Sequence, residues 1–317
     1  VQLVSYRFAA HSSGTIAGVL DGDAVLNAGR LLSFPRSISM LGLLDLGPEA
    51  LDRLRRAIDS FRHEHRDAIL LPEEITAPRW LVELAAPVPR PRSFRDFYAY
   101  ESHVAAAYNR RNRPVPSAWY ETPVFFFQNA GSIHGPDEEI PFPQGSRQLD
   151  LELEIAAVIG KRGRDIQAND AWAHVAGLSI LNDWSARDIQ AMEMRVGLGP
   201  AKGKDFASSL GPALVTLDEL EPWFRGDRHW LDASIMVNDD VIAETNTGEH
   251  YWSLPQMIAA ASRQVELEPG DVIGFGTVGR GCILELGEEV HSWLEPGDEV
   301  ILSVAGLGQL RNRIRSG

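Results

Sequence analysis

Hydrophobic and polar positions alternate with period two along most of this chain, and the exceptions mark its helices. Residues 1–30 read as short strands. In "VLDGDAVLNAG" the Asp21-Gly22 pair separates two apolar runs, which predicts a hairpin. "GPEALDRLRRAIDSFRHEH" changes to helical spacing. Pro48 suits a first turn, Glu49 suits the positive helix end, and Leu51, Leu54 and Ile58 share a face. Prolines 87, 89 and 91 in "LAAPVPRPRSF" make a stiff, extended run. That run predicts a boundary between a small N-terminal α+β module, residues 1–85, and a larger body, residues 86–317.

The body is mostly strand. "LEIAAVIGKRGRDI" reads as a strand, a turn at Gly163 and a restart, and "HVAGLSILND" as a buried strand ending in polar residues. "ASIMVNDDVIAET" predicts a hairpin around Asn238-Asp239. "YWSLPQMIAAASRQ" predicts a helix capped by Ser253. "LEPGD" occurs at 267–271 and again at 294–298, each time as a Pro-Gly turn feeding an apolar strand. The expected class is α+β and β-rich.

One stretch breaks the regularity. "LDLELEIAAVIG", residues 149–160, reads as a single strand with Leu149, Leu151, Leu153 and Ile155 on one face. The other face begins with Asp150, Glu152 and Glu154, then turns apolar at Ala156 and Val158. Like charges on one strand face repel. Glu152 and Glu154, two residues apart, point the same way. Asp183 ends the apolar run "GLSILND", and Asp96 lies in "FRDFYAY" after the prolines. A buried carboxylate must be paired, protonated or bound to metal. Separate surface acids or salt-bridge partners are the plain reading of each residue alone. Taken together, four carboxylates without paired Cys or His point to a hard divalent cation: Mg²⁺ first, with Mn²⁺ or Ca²⁺ as alternatives.

Composition adds exclusions. The net charge of −14 disfavours nucleic acid and anionic lipid. No apolar run is long enough for a membrane span, and "VQLVSYRFAA" lacks the plan of a signal peptide. The single cysteine, Cys282, rules out an internal disulfide and favours the reducing cytoplasm. With no evident His partner, Cys282 reads as a small buried residue.

Further motifs cluster around polar chemistry. In "NDWSARDIQ", Ser185 can cap a helix on which Arg187 and Gln190 share a face. Arg187 can pair with Asp183 or another acid, or hold a substrate carboxylate or carbonyl. "GPAKGKDF" carries Lys202 and Lys204 but lacks P-loop spacing. "GFGTVGRG" has no βαβ unit around it and reads as a tight turn near a site, with Thr277 exposed at its tip. His103 follows Asp96 on a short helix, while His63 and His65 lack metal spacing.

These segments together resemble the fumarylacetoacetate hydrolase family over residues 80–317. "RDFYAYESH", "LDLELEIAAVIG", "DAWAHVAGLSILNDWSARDIQ", "GKDF", "GFGTVGRG" and "CILEL" follow the family's motifs in order. The resemblance implies a mixed β-roll or β-sandwich catalytic domain, a homodimer, and one divalent metal per subunit. It implies Asp96, Glu152, Glu154 and Asp183 as metal ligands. Tyr98, Arg187, Gln190, Lys204 and Thr277 would contact substrate or stabilise developing negative charge. His103 would be the general base, oriented by Glu285. Three positions depart from relatives: Ala106 stands where some carry Glu, Phe126 near a substrate-contacting Tyr, and Gln128 near a basic residue.

The activity implied is hydrolysis of a carbon–carbon bond in a 1,3-diketone, acylpyruvate or fumarylacetoacetate-like substrate, using a His-activated water and a metal-stabilised enolate. The same site could decarboxylate, isomerise or dehydrate 2-oxo acids. A catalytically silent ligand-binding protein is the alternative from another class.

Overall fold

A computed structural model of the protein describes all residues except 9–13, 67–70, 111 and 316–317. Among the described residues the alternating runs form two large sheets, one of twelve strands and one of five, with three two-stranded pairs beside them. The long path of the larger sheet runs Thr76–Pro78, Ala24–Asn27, Ile16–Asp21, Gln2–Phe8, Ser208–Val215, Val175–Asp183, Leu153–Ile159, Val272–Gly274, Phe94–Phe97 and Phe125–Phe127. The N-terminal strands therefore join the same sheet as the body. Gln2–Phe8 pairs with both Val82–Ala85 and Ser208–Val215, on either side of the proline run. The smaller sheet is ordered Asp240–Asn246, Asp232–Val237, Glu299–Val304, Gly308–Ile314 and Glu139–Ile140. The architecture is mixed α+β and dominated by sheet.

The Leu153–Ile159 strand is wholly buried because both its faces are covered. Leu153, Ile155, Ala157 and Ile159 pack into a core shared with Val300, Leu302 and Leu310 of the smaller sheet. Ala156 and Val158 face the other way, into a core with Leu54, Ile58 and Phe61 of the Pro48–Glu64 helix. Each fully buried Leu or Ile there contributes about 1.5–3 kcal/mol. That helix starts after Gly47, whose φ of +80° suits glycine, and Pro48 opens its first turn. Its buried stripe is Ala50, Leu54, Ile58 and Phe61, with Leu51 half-buried beside it.

Turn chemistry follows sequence closely. Asn238 and Asp239 form a two-residue hairpin loop, with Val237 opposite Asp240. The first hairpin turns on Gly22-Asp23 rather than Asp21-Gly22, since Asp21 still pairs with Ala24. Both "LEPGD" copies fold alike. Asp271 accepts from the Glu268 N–H at 2.9 Å, and Asp298 from the Glu295 N–H at 2.8 Å. Ser253 caps Leu254–Ala261, with its N–H donating to Gln256 Oε1 at 2.9 Å.

Three local expectations change. Residues 149–160 are not one strand: Leu149–Asp150 pairs with Ser185–Ala186, and pairing resumes only at Leu153. At the break the Glu152 N–H turns to Asn182 Oδ1, 2.9 Å away. Ser185 is no helix cap, because it lies in that short strand and its hydroxyl donates to Asp183 O at 3.0 Å. The helix Arg187–Met194 begins after Ala186 instead. Gly163 belongs to the restarting strand Gly163–Arg164, which moves the turn to residues 160–162.

Candidate active site

Four neighbouring strands of the larger sheet bring the acids together. Asp96 lies near the end of Phe94–Phe97, in register with Gly274. Glu154 lies at the start of Leu153–Ile159, and Asp183 is the last residue of Val175–Asp183. One carboxylate oxygen from each of Asp96, Glu154 and Asp183 lies within 4.8 Å of the others, and all three side chains are buried. Backbone approach makes this possible. A Cβ on Gly274 would stand 2.4 Å from Asp96 Oδ1. Gly276, at φ +87°, turns its N–H to Glu154 Oε2 at 3.1 Å.

Glu152 stands beside this trio and is held by cations. Arg187 Nη2 is 2.7 Å from its Oε1, and Lys204 Nζ donates to its Oε2 at 2.5 Å. Lys204 bridges to Asp183 Oδ2, also at 2.5 Å. Gln128 Nε2 donates to Asp183 Oδ1 at 2.5 Å, a contact that sequence reasoning missed. Burial raises the Glu152 carboxyl, but Arg187 and Lys204 outweigh it and hold it well below the usual range. Burial pushes Asp96 up to about 6. Burial, then repulsion from Asp96 and Glu152, lifts Glu154 well above its ordinary value. Burial also lifts Asp183, against the pull of Lys204. Four buried carboxyl groups, Asp96, Glu152, Glu154 and Asp183, thus share two cations, Arg187 and Lys204.

A second group adjoins it. His103, on the helix Glu101–Asn109, has Nδ1 at 2.5 Å from Glu285 Oε1. With a carboxylate at Nδ1, the proton belongs on that nitrogen and Nε2 is the free acceptor. Nε2 faces Thr277 Oγ1 at 3.3 Å and Glu152 Oε1 at 3.6 Å. The Tyr98 ring meets His103 edge-on, with centroids 5.5 Å apart. Thr277 is buried rather than exposed at a turn tip, because the turn folds inward onto Glu154. Cys282 does have a His neighbour: its Sγ is 3.8 Å from His103 Nδ1, although 179 residues separate them. Burial raises its thiol well above the ordinary value.

Arg187 pairs with Asp150, not Asp183. Its Nε donates to Asp150 Oδ2 at 2.8 Å, and its Nη1 to Gln190 Oε1 at 3.2 Å. Asp150 is fully buried and also accepts from the N–H groups of Ile283 and Leu284, at 2.8 and 3.1 Å. One carboxylate therefore holds Arg187 and the start of the short helix that carries Glu285. Its neighbours in space were invisible to strand periodicity. Asp150→Asn is expected to lower folding stability by about 3 kcal/mol, since it removes one of the two carboxylates that pair with a buried guanidinium. Urea unfolding measures this. A loss below ~1 kcal/mol would mean that Glu152 alone suffices for Arg187.

All these groups line or adjoin one cavity of about 430 Å³. Its residues fit a divalent cation. Both oxygens of Asp96 are buried without a hydrogen-bond partner among the described residues, and the converging donors are all hard oxygens. Asp96, Glu154 and Asp183 are the group that could hold the ion, with Glu152 adjacent.

Fold and cavity define an enzyme of mixed α+β architecture with an acid-rich centre suited to a metal. The chain belongs to the fumarylacetoacetate hydrolase family: the family's C-terminal model, "Fumarylacetoacetate (FAA) hydrolase C-terminal", matches residues 92–315. The human mitochondrial protein named oxaloacetate tautomerase FAHD2A is 35% identical, aligned over 99% of this chain and 91% of its own. The crystal structure of a putative HpcE protein from Mycobacterium smegmatis superposes with TM-score 0.73 at 27% identity, covering 99% of each chain. Maleylpyruvate hydrolase from Sphingobium sp. SYK-6, in complex with manganese(II) and pyruvate, shares the fold at TM-score 0.70 and 23% identity, covering 100% of each chain. Among the described residues no helix is long and apolar enough to cross a membrane.

Proposed function

We propose that this protein is a metal-dependent hydrolase that cleaves a carbon–carbon bond in an acylpyruvate or related 1,3-diketone. The observation that carries the reading is the His103–Glu285 pair beside the carboxylate cluster. Glu285 fixes the imidazole so that Nε2 can take a proton from water. Asp96, Glu154 and Asp183, with Glu152 as the fourth donor, would hold the ion, Mg²⁺ foremost and Mn²⁺ or Ca²⁺ as alternatives. When bound, such an ion polarises adjacent substrate oxygens as a Lewis acid. Arg187, Lys204 and Gln190 offset the charge that develops on the attacked carbonyl oxygen. Tyr98 and Thr277 position substrate beside His103. The oxygen of water bonds to the carbonyl carbon, whose C=O electron pair moves onto oxygen and, on returning, breaks the carbon–carbon bond. The electron pair leaves on the carbon next to the second carbonyl, and the proton held by His103 returns there. An acid and a ketone or 2-oxo acid result.

A second reading is keto–enol isomerisation of a 2-oxo acid, favoured by the 35% identical relative named as an oxaloacetate tautomerase. It needs a proton shuttle but no water attack. Incubation with an acylpyruvate, a fumarylacetoacetate-like diketone and oxaloacetate, with and without Mg²⁺, separates the two by product mass. We expect Mg²⁺-dependent products whose summed mass equals substrate plus water. Hydrogen exchange in D₂O without cleavage would replace hydrolysis by tautomerisation, and loss of CO₂ would replace it by decarboxylation. Pairing of two copies and a reducing, cytoplasmic setting belong to the same proposal. The second rests on the single thiol, whereas the human relative is mitochondrial by name.

A further inference from the structure

The cavity lining includes far more than the acids and their partners, and much of it is apolar. Tyr108, Val124, Phe126, Met194, Leu284 and Trp293 supply that part of the wall. The charged lining residues are the acid cluster with its partners His103, Arg187 and Lys204, plus Arg110. Arg110 is exposed, so its charge stays hydrated and screened. Gln128, which follows the Phe125–Phe127 strand, does not line the cavity and donates to Asp183. A volume of about 430 Å³ lies within the range of pockets that enclose drug-sized ligands, ~300–1,000 Å³. It equals the liquid volume of about fourteen waters, at ~30 Å³ each, more than a compact four-carbon acid fills.

We infer that the substrate carries a hydrocarbon arm beyond its oxo-acid or diketone head, not a second carboxylate. This rests on the head being held as in the proposed function. The physical reason is desolvation. A terminal carboxylate against this wall would lose water and meet no buried cation, only neutral donors such as Trp293 Nε1, the Tyr108 hydroxyl and the Gln148 amide, whereas methylenes would displace water from Phe126, Met194 and Leu284.

The test is calorimetric binding of 2-oxo alkanoates of increasing chain length to the Mg²⁺-loaded protein, alongside 2-oxo dicarboxylates of matched length. Kd should fall about fourfold per added methylene until the wall is covered. Each dicarboxylate should bind at least ~10-fold more weakly than its matched monoacid, the unpaired carboxylate costing more than a methylene gains. Met194→Ser and Phe126→Ser should each flatten the chain-length dependence. Met194 lies at the exposed rim, so its replacement leaves the core untouched. A flat series, or tighter binding of the dicarboxylates through Arg110, overturns the apolar arm while leaving the head reading intact. No binding at any length overturns the head reading and the arm with it. A rising series without cleavage of any acylpyruvate keeps the arm and removes only hydrolysis.

Discussion

Asp183→Asn is expected to cost about a thousandfold or more in kcat/KM and to abolish stabilisation by divalent ions. Asp183 is fully buried at the end of its strand, with one oxygen in the Asp96–Glu154 group and contacts to Lys204 and Gln128. The amide keeps the shape but removes a charge and offers an N–H where an ion needs an oxygen. It also leaves Lys204 with Glu152 as its carboxylate partner, so some loss of fold stability is expected. The two effects separate in a thermal-shift series. In the wild type, Mg²⁺ at a hundredfold above Kd adds about 2.7 kcal/mol, and EDTA removes it. In the variant the midpoint should no longer respond to Mg²⁺ or EDTA, whatever its absolute value. Full activity of Asp183→Asn after chelation would sink the metal-dependent mechanism.

His103→Ala is expected to lose about 10²–10⁴-fold in kcat for cleavage while keeping the response to Mg²⁺. The imidazole touches Glu285 and Thr277 and lies 3.6 Å from Glu152, outside the group formed by Asp96, Glu154 and Asp183. Removing it takes away the proton acceptor without touching those carboxylates. Glu285→Gln should fall in the same direction by less, because the amide no longer stabilises the imidazolium but still occupies the position. Wild-type kcat in His103→Ala on a cleaved diketone would exclude this residue as the base. If cleavage is lost but enol exchange persists, water activation alone depends on His103.

The acids were legible because they break a local rule. Glu152 and Glu154 stand two apart in a stretch too apolar for a surface, and Asp183 closes another such run. The hairpin at Asn238-Asp239, the helix opened by Pro48 and the twin "LEPGD" turns were legible for the same reason, since each depends on neighbours in sequence. Asp150 was not. Its partners Arg187 and Ile283 lie 37 and 133 residues away, and nothing in its own strand announces them. Ser185 had the sequence of a helix cap, but pairing of its backbone with Leu149–Asp150 overrode that preference. Thr277 was misplaced because a glycine-rich turn can fold outward or inward, and only its packing against Glu154 and His103 chose; Cys282 is buried as read, but its His103 neighbour was invisible 179 residues away.

By itself, then, the sequence determined the elements and the chemical kind of the centre: a β-rich chain with oxygen-donor acids and a solitary histidine beside them. Period-two geometry and turn residues act over a few positions, and composition limits which cations such donors suit. The tertiary structure decided the partnerships. It placed Glu152 with Arg187 and Lys204, gathered Asp96, Glu154 and Asp183, joined His103 to Glu285 across 182 residues, and lined their cavity with apolar side chains as well. Those contacts arise where strands distant in sequence lie side by side, and no local pattern encodes which strand will be the neighbour.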